Sequence, residues 1–281
     1  MKVCHTIKDI QSSIKELRHQ GKLGFVPTMG ALHRGHTSLV ESAKKQTELI
    51  AVSIFVNPAQ FNNPQDLENY PRTLDQDLIM LEEHGCDLVF VPTVKEMYSS
   101  QTDVKIDLGS ITTELEGAFR PGHFDGVGLI VSKLFNIIQP DVAFFGQKDL
   151  QQFFVIKKLV EALNFPLTLK RVNTEREVNG LAMSSRNMRL SDSEKDEASL
   201  LYQSLLLSQQ ILRTNPSVSL AKQKVQELFQ KSERLQLEYF EVIDTSDFKP
   251  LEKVLNPEKT AMCIAAEIAG VRLIDNLLLI S

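Results

Sequence analysis

Apolar residues along the first part of the chain alternate between two rhythms. Ile10, Ile14 and Leu17 recur at helical spacing and Gly21 follows as a stop, which predicts a first helix. The run Leu23-Gly24-Phe25-Val26 predicts a strand, Thr37–Lys44 a helix, and the nearly all-apolar Leu49–Val56 a second strand closed by Asn57-Pro58. An almost uninterrupted apolar strand is what a parallel sheet covered by helices on both faces requires. The cycle then repeats: a helix at about 73–85 ended by Gly85, a strand at 86–91 ended by Pro92, a helix at about 125–138, and a strand at 141–145 ended by Gly146. Right-handed crossovers between such units build a Rossmann-like, doubly wound parallel sheet, an α/β fold whose ligands bind beyond the carboxyl ends of the strands.

The rhythm changes after Arg186. Residues 192–232 predict two polar helices separated by Asn215-Pro216, with Ser191 as N-cap and Glu194 three residues on. Three short strands follow, Leu237–Ile243, Ala261–Ile268 and Val271–Ile274, with Ala269-Gly270 as a hairpin turn. The expected division is a Rossmann-like domain over 1–186 and a smaller C-terminal α+β lid domain over 187–281.

Composition narrows the function. At 281 residues and 42% apolar, the chain fills one large or two modest cores without disulfides. The net charge of −5, with Lys and Arg dispersed, argues against a nucleic-acid partner. Cys4, Cys86 and Cys263 are far apart and in no metal-ligand spacing, which fits reduced thiols and a cytoplasmic address. No apolar run approaches the length of a membrane span, and the N-terminal residues lack a signal-peptide core, so no membrane partner is expected.

Candidate chemistry lies in the loops after strands. Pro27-Thr28-Met29-Gly30-Ala31-Leu32-His33-Arg34-Gly35-His36 joins a strand to a helix and places two imidazoles three residues apart among glycines. Backbone N–H groups and proton-bearing rings can converge there on phosphate; a metal site and a chance pair are the competing readings. In Asn57-Pro58-Ala59-Gln60-Phe61, Gln60 could hold a hydroxyl or carboxylate. Asp75 and Asp77 suit the N-terminal turn of the next helix. The turn-rich stretch Glu116–Gly126 carries Arg120 and His123, as connector, lid or anion contact. Gly146-Gln147-Lys148-Asp149 turns into a helix that carries Gln152, and Met183-Ser184-Ser185-Arg186 offers two hydroxyls and a guanidinium to a phosphate chain.

Taken in order, Pro27–Gly30 with His33–His36, Phe55–Pro58 with Gln60-Phe61, Tyr70–Thr73, Arg120–Phe124, Phe145–Asp149 with Gln152, and Ser184–Arg186 closely resemble the pantothenate synthetases of the nucleotidylyltransferase superfamily. The resemblance implies an AMP-forming ligase that condenses (R)-pantoate with β-alanine through pantoyl adenylate, with Mg²⁺ accompanying ATP, and a homodimer. It assigns Met29, Gly30, Ala31, Leu32, His33, Arg34, Gly35 and His36 to the ATP site, with Gly146, Gln147, Lys148, Asp149, Glu175, Met183, Ser184, Ser185 and Arg186. His36, the expected proton donor, together with His33, Lys148 and Arg186, would carry the chemistry; Gln60, Gln152, Asn57 and Arg120 would hold pantoate and β-alanine; Asp77 is a candidate to orient Mg²⁺. Gln147 and Glu175 depart from the family's pattern, where many relatives carry Glu and apolar residues respectively. A nucleotidylyltransferase acting on a phosphorylated acceptor and a catalytically silent nucleotide-binding protein are the alternatives.

Overall fold

Every residue of the strand Leu49–Ile54 is buried. That strand, β3, lies inside a six-stranded parallel sheet with β1 (Lys2–Cys4), β2 (Leu23–Thr28), β4 (Leu88–Phe90), β5 (Val142–Gly146) and β6 (Thr168–Val172), in the order β1-β4-β3-β2-β5-β6. The computed structural model describes residues 1–98 and 104–280. Its packing separates two units, residues 1–146 with 151–173, and residues 147–150 with 174–281.

In the first unit the sheet carries the helices α1 (Ile7–Leu17), α2 (Arg34–Lys44), α3 (Leu74–Glu83), α4 (His123–Ile138) and α5 (Leu150–Ala162). On one face Val26, Ile50, Val52, Val89 and Phe144 pack with Leu39, Val40 and Ala43 of α2. Towards α4, Phe135 meets Phe25 and Phe145 edge-on at centroid distances of 6.5 and 6.4 Å. Apolar contacts on both faces explain the nearly unbroken apolar run of β3, interrupted by Ser53 alone. From β2 the chain adds β3 and β4 on one side and later β5 and β6 on the other, so β2 and β5 flank the switch point of the sheet.

Two strands escape the sequence pattern. β1 is three residues long, and β6 is an edge strand bearing Lys170 and Arg171, with no buried residue to set a rhythm.

The second unit is an antiparallel sheet, β7 (Gln236–Asp244), β8 (Thr260–Ile268) and β9 (Val271–Leu278), in that order. Its core joins Val242, Met262 and Ile264 to Leu201, Leu205, Val225 and other helix residues. The two helices expected over 192–232 are three: α6 (Asp192–Ala198), α7 (Leu200–Thr214) and α8 (Val218–Phe229). At the break Ser199 Oγ donates back to the Asp196 carbonyl at 2.6 Å, a bond that competes with the helix ladder. The Ser191–Glu194 capping box is present.

β9 continues past Ile274, where Asp275 and Asn276 interrupt the apolar alternation. Both are nonetheless buried, with Asp275 held by Arg176 at 2.6 and 3.1 Å and Asn276 Nδ2 by the carbonyls of Gln147 and Lys148 at 2.9 and 2.7 Å, while Asn276 Oδ1 is buried without a hydrogen bond. Those last two bonds bind the turn 147–150 to the second unit. The division therefore falls after Asn173 and reassigns that turn, whereas the apolar pattern alone places it after Arg186.

Candidate active site

β2 ends where Thr28 Oγ1 donates to the Ser53 carbonyl at 2.7 Å and accepts the Gly30 N–H at 3.3 Å. The chain then turns through two left-handed residues, Gly30 at φ +82° and Ala31 at φ +49°. A Cβ at position 30 would stand 3.0 Å from Asp77 Oδ2, so glycine suits this position twice over. From the first turn of α3, Asp77 reaches under the loop. Its Oδ2 accepts the Ala31 N–H at 2.9 Å, and its Oδ1 accepts the Leu32 N–H at 2.8 Å and the Thr73 hydroxyl at 3.0 Å. The amides of Ala31 and Leu32 are thus directed to a carboxylate of their own chain. Among the described residues no group of three or more His, Cys, Asp or Glu is arranged to hold a metal ion, and Asp75 is exposed.

His33 caps α2, and the two histidines bind each other's backbone turn. His33 Nδ1 accepts the Gly35 N–H at 3.1 Å, and His36 Nδ1 accepts the His33 N–H at 3.3 Å. A ring nitrogen that accepts carries no proton, so in the neutral imidazoles both protons sit on Nε2. The rings lie 4.1 Å apart, centroid to centroid, at the start of an eleven-residue helix, where the helix dipole favours an anion.

The loop after β3 meets this turn where Gln60 Nε2 lies 3.0 Å from Met29 Sδ. Asn57 and Gln60 are both buried, and Asn57 Nδ2 donates to Gln60 Oε1 at 3.2 Å. The Gln60 carbonyl accepts from Arg120 Nη2 at 3.2 Å and from His123 Nδ1 at 2.8 Å, while Arg120 Nη1 donates to His123 Nε2 at 3.2 Å. His123 is therefore a neutral ring with its proton on Nδ1, locked between a guanidinium and a carbonyl. α4 comes so close to this loop that a Cβ at Gly126 would fall 2.2 Å from the Ala59 carbonyl. Tyr98, which no sequence signal singles out, donates its hydroxyl to Asn57 Oδ1 at 2.7 Å. Gln152 is half-buried on α5, whereas its neighbour Gln151 is committed to the loop 111–116 through Ile111, Glu114 and Glu116.

In the second unit the chain leaving Gly146 forms a single 3-10 turn, Gln147–Asp149, and not directly the first turn of α5. Lys148 Nζ lies 3.4 Å from Asp149 Oδ1. Glu175 and Met183 are brought together by the Met183 N–H, which donates to the Glu175 carbonyl at 2.9 Å as the chain doubles back around Gly180 at φ +94°. Ser184 then caps the 3-10 turn Ser185–Arg189 by accepting the Arg186 N–H at 3.3 Å. Beneath this segment the Arg176 guanidinium sits 3.7 Å from the centroid of the Tyr202 ring and pairs with Asp275. Burial pushes the Asp275 carboxyl above its ordinary range, and Arg176 pulls it back.

Comparison with known proteins agrees over the whole chain. A family model described as pantoate-beta-alanine ligase matches residues 2–278. A pantothenate synthetase of Cytophaga hutchinsonii is 46% identical over 267 residues, covering 95% of this chain and 94% of the relative. One from Thermoanaerobacter sp. is 46% identical over 280 residues, covering 99% and 98%. The crystal structure of pantothenate synthetase from Thermus thermophilus matches with a TM-score of 0.93 at 37% identity over 99% of each chain. That of pantoate-beta-alanine ligase from Francisella tularensis, complexed with beta-gamma ATP and beta-alanine, matches with a TM-score of 0.82 at 35% identity, covering 100% of this chain and 98% of that one.

Proposed function

The chain belongs to the pantoate–β-alanine ligase family, and from that premise we propose that its Met29–His36 turn carries the first chemical step, transfer of AMP to pantoate. The enzyme is an ATP-dependent ligase that joins (R)-pantoate to β-alanine, giving pantothenate, AMP and pyrophosphate. A pantoate carboxylate oxygen bonds to the α-phosphorus while the bridge to the β-phosphate breaks and pyrophosphate leaves. The β-alanine amine then adds to the acyl carbon, the bond to AMP breaks, and the amine gives up its proton. Adenylation replaces a poor leaving group with a good one, splitting one hard step into two easier ones.

Negative charge gathers on the α-phosphate and the departing pyrophosphate, so donors held ready there lower the barrier. The observation that carries the reading is the reciprocal cap of His33 and His36, which assigns each neutral ring an Nε2 proton at a helix start. On this reading His36 gives its proton to the pyrophosphate side, and His33 binds phosphate with Gly35 and the Met29-Gly30 backbone. Lys148 and Arg186 supply positive charge, and Gly146, Gln147, Asp149, Glu175, Met183, Ser184 and Ser185 bind the remainder of the nucleotide. Gln60, Arg120 and Gln152 hold pantoate and β-alanine, and Asn57, whose amide is already taken by Gln60, Gly126, Ala59 and Tyr98, acts on them through Gln60. Mg²⁺ enters with ATP as part of the substrate, and Asp77, whose oxygens already accept three donors, supports the turn that receives it.

We place the enzyme in the cytoplasm as a homodimer. The three cysteines are buried and form no disulfide, which suits a reducing compartment, and among the described residues no helix is long and apolar enough to cross a membrane. The dimer rests on family resemblance, and a single-chain mass by light scattering would exclude it.

The decisive experiment is exchange of labelled pyrophosphate into ATP, which isolates the first half-reaction. It should depend on pantoate and fall by about 10²–10³ in His36→Ala. Exchange at the parent rate in that variant would remove His36 from its role, and a folded enzyme that releases no AMP with all substrates present would overturn the ligase reading.

A further inference from the structure

A glutamine side chain can face a substrate in two ways, presenting its amide oxygen or its N–H groups. At Gln60 the surrounding network decides between them. Asn57 Nδ2 donates to the Gly126 carbonyl at 3.2 Å, and Asn57 Oδ1 accepts the Ala59 N–H at 3.3 Å. A carbonyl only accepts and a backbone N–H only donates, so these two bonds set the Asn57 amide one way round. Its Nδ2 then donates to Gln60 Oε1 at 3.2 Å. Gln60 is left with Nε2 as the group turned away from Asn57, resting against the Met29 sulfur at 3.0 Å.

The shortest bond in this network comes from outside the two loops. Tyr98 Oη lies 2.7 Å from Asn57 Oδ1, an atom that carries no proton, so the phenol is the donor. Burial pushes the phenol up to about 12, which keeps that proton in place at any working pH. The ring itself is held by Phe55 at the end of β3, centroids 6.4 Å apart, and by the Lys133 ammonium 5.5 Å from its centroid. A rigid ring carrying a permanent donor is well suited to fix a neighbouring amide.

We infer that Tyr98 is a positioning residue for the ligase reaction: through Asn57 it holds the Gln60 amide with its nitrogen, and not its oxygen, turned towards pantoate oxygens. The inference rests on the assignment of Gln60 to pantoate. It also explains a chemical preference, since the amide N–H that Met29 leaves over complements a carboxylate or hydroxyl oxygen, whereas an amide oxygen would repel the carboxylate.

Tyr98→Phe deletes only the hydroxyl and keeps the ring packing. In pantoate-dependent pyrophosphate exchange, the KM for pantoate should rise about 3- to 10-fold with the KM for ATP unchanged. In a Gln60→Ala background the same substitution should add nothing, because the group it orients is gone. A merely structural role would lower thermal stability and penalise all substrates alike. The inference is overturned if Gln60→Ala raises the pantoate KM while Tyr98→Phe does not, or if the Tyr98→Phe effect persists undiminished in Gln60→Ala. An unchanged pantoate KM in Gln60→Ala itself would overturn the Gln60 assignment, and this inference with it.

Discussion

Asp77 Oδ2 accepts the Ala31 N–H at 2.9 Å, so a buried carboxylate of α3 holds an alanine whose φ of +49° lies in the left-handed region. That conformation costs an L-residue roughly 1–2 kcal/mol. The bonds from Ala31, Leu32 and Thr73 to Asp77 offset it and shape the turn that delivers His33 to the helix start.

Asp77→Asn should therefore damage the turn although the side chain keeps its size. Each Asp77 oxygen faces a backbone N–H, and an amide nitrogen in either place sets donor against donor. The expected loss is about 1–3 kcal/mol in urea unfolding, with a raised KM for ATP. Unfolding and ATP kinetics indistinguishable from the parent would refute this account of the turn.

Asn276 ties the Lys148 turn to β9 through two carbonyls. Asn276→Ala releases both, so the far-UV spectrum should stay the same while the KM for ATP rises about tenfold through misplacement of Lys148. The comparison to make is with Lys148→Ala: the second substitution should cost far less once the first is present.

Arg176→Met leaves the buried Asp275 without its cation, at an expected cost of about 3–5 kcal/mol at neutral pH. Burial already raises this carboxyl above its ordinary 3.8, and removing Arg176 raises it further. A raised carboxyl contributes its full stability below the unfolded value and loses it as pH climbs through the folded one. The deficit of the variant should thus be smallest in acid and grow towards neutrality. Urea melts across that range measure it, and a deficit that widened on acidification would contradict the sign.

Cys86 is buried, and its thiol is pushed up to about 12, by desolvation first and the Asp87 carboxylate second. Native protein in mild alkali should resist alkylation there, while the unfolded chain labels readily, as peptide mass spectrometry would record. Because the folded value lies above the ordinary thiol value of 9.0, the contribution of this thiol to stability declines as pH rises past 9.0 towards 12. Rapid labelling of Cys86 under native conditions would be the contrary result.

Much of the fold is legible in the chain because burial leaves a periodic mark. β2, β3 and β5, and the helices that follow them, show themselves in the apolar rhythm, and the Ser191–Glu194 cap announces α6. β6 leaves no such mark, since none of its five residues is buried. The far half of β9 is hidden for the opposite reason. Asp275 and Asn276 are polar yet buried, and the partners that make this tolerable, Arg176 and the carbonyls of Gln147 and Lys148, are distant in sequence.

The residues of the site divide in the same way. Local order alone determined the pairing of His33 with His36 at a helix start, because a cap is built from neighbours within one turn and its spacing is written in the chain. It equally determined the family, whose motifs are short contiguous stretches. Only the tertiary structure decided which way the Gln60 amide faces, that Asp77 grips the turn before His33, and that Tyr98 stands behind Asn57. Each of these depends on a hydrogen bond between elements far apart in sequence, the Gln60 orientation through the bond from Asn57 to the Gly126 carbonyl. Its direction depends on which partner can only donate and which can only accept, and that is known only once folding has brought them within about 3 Å.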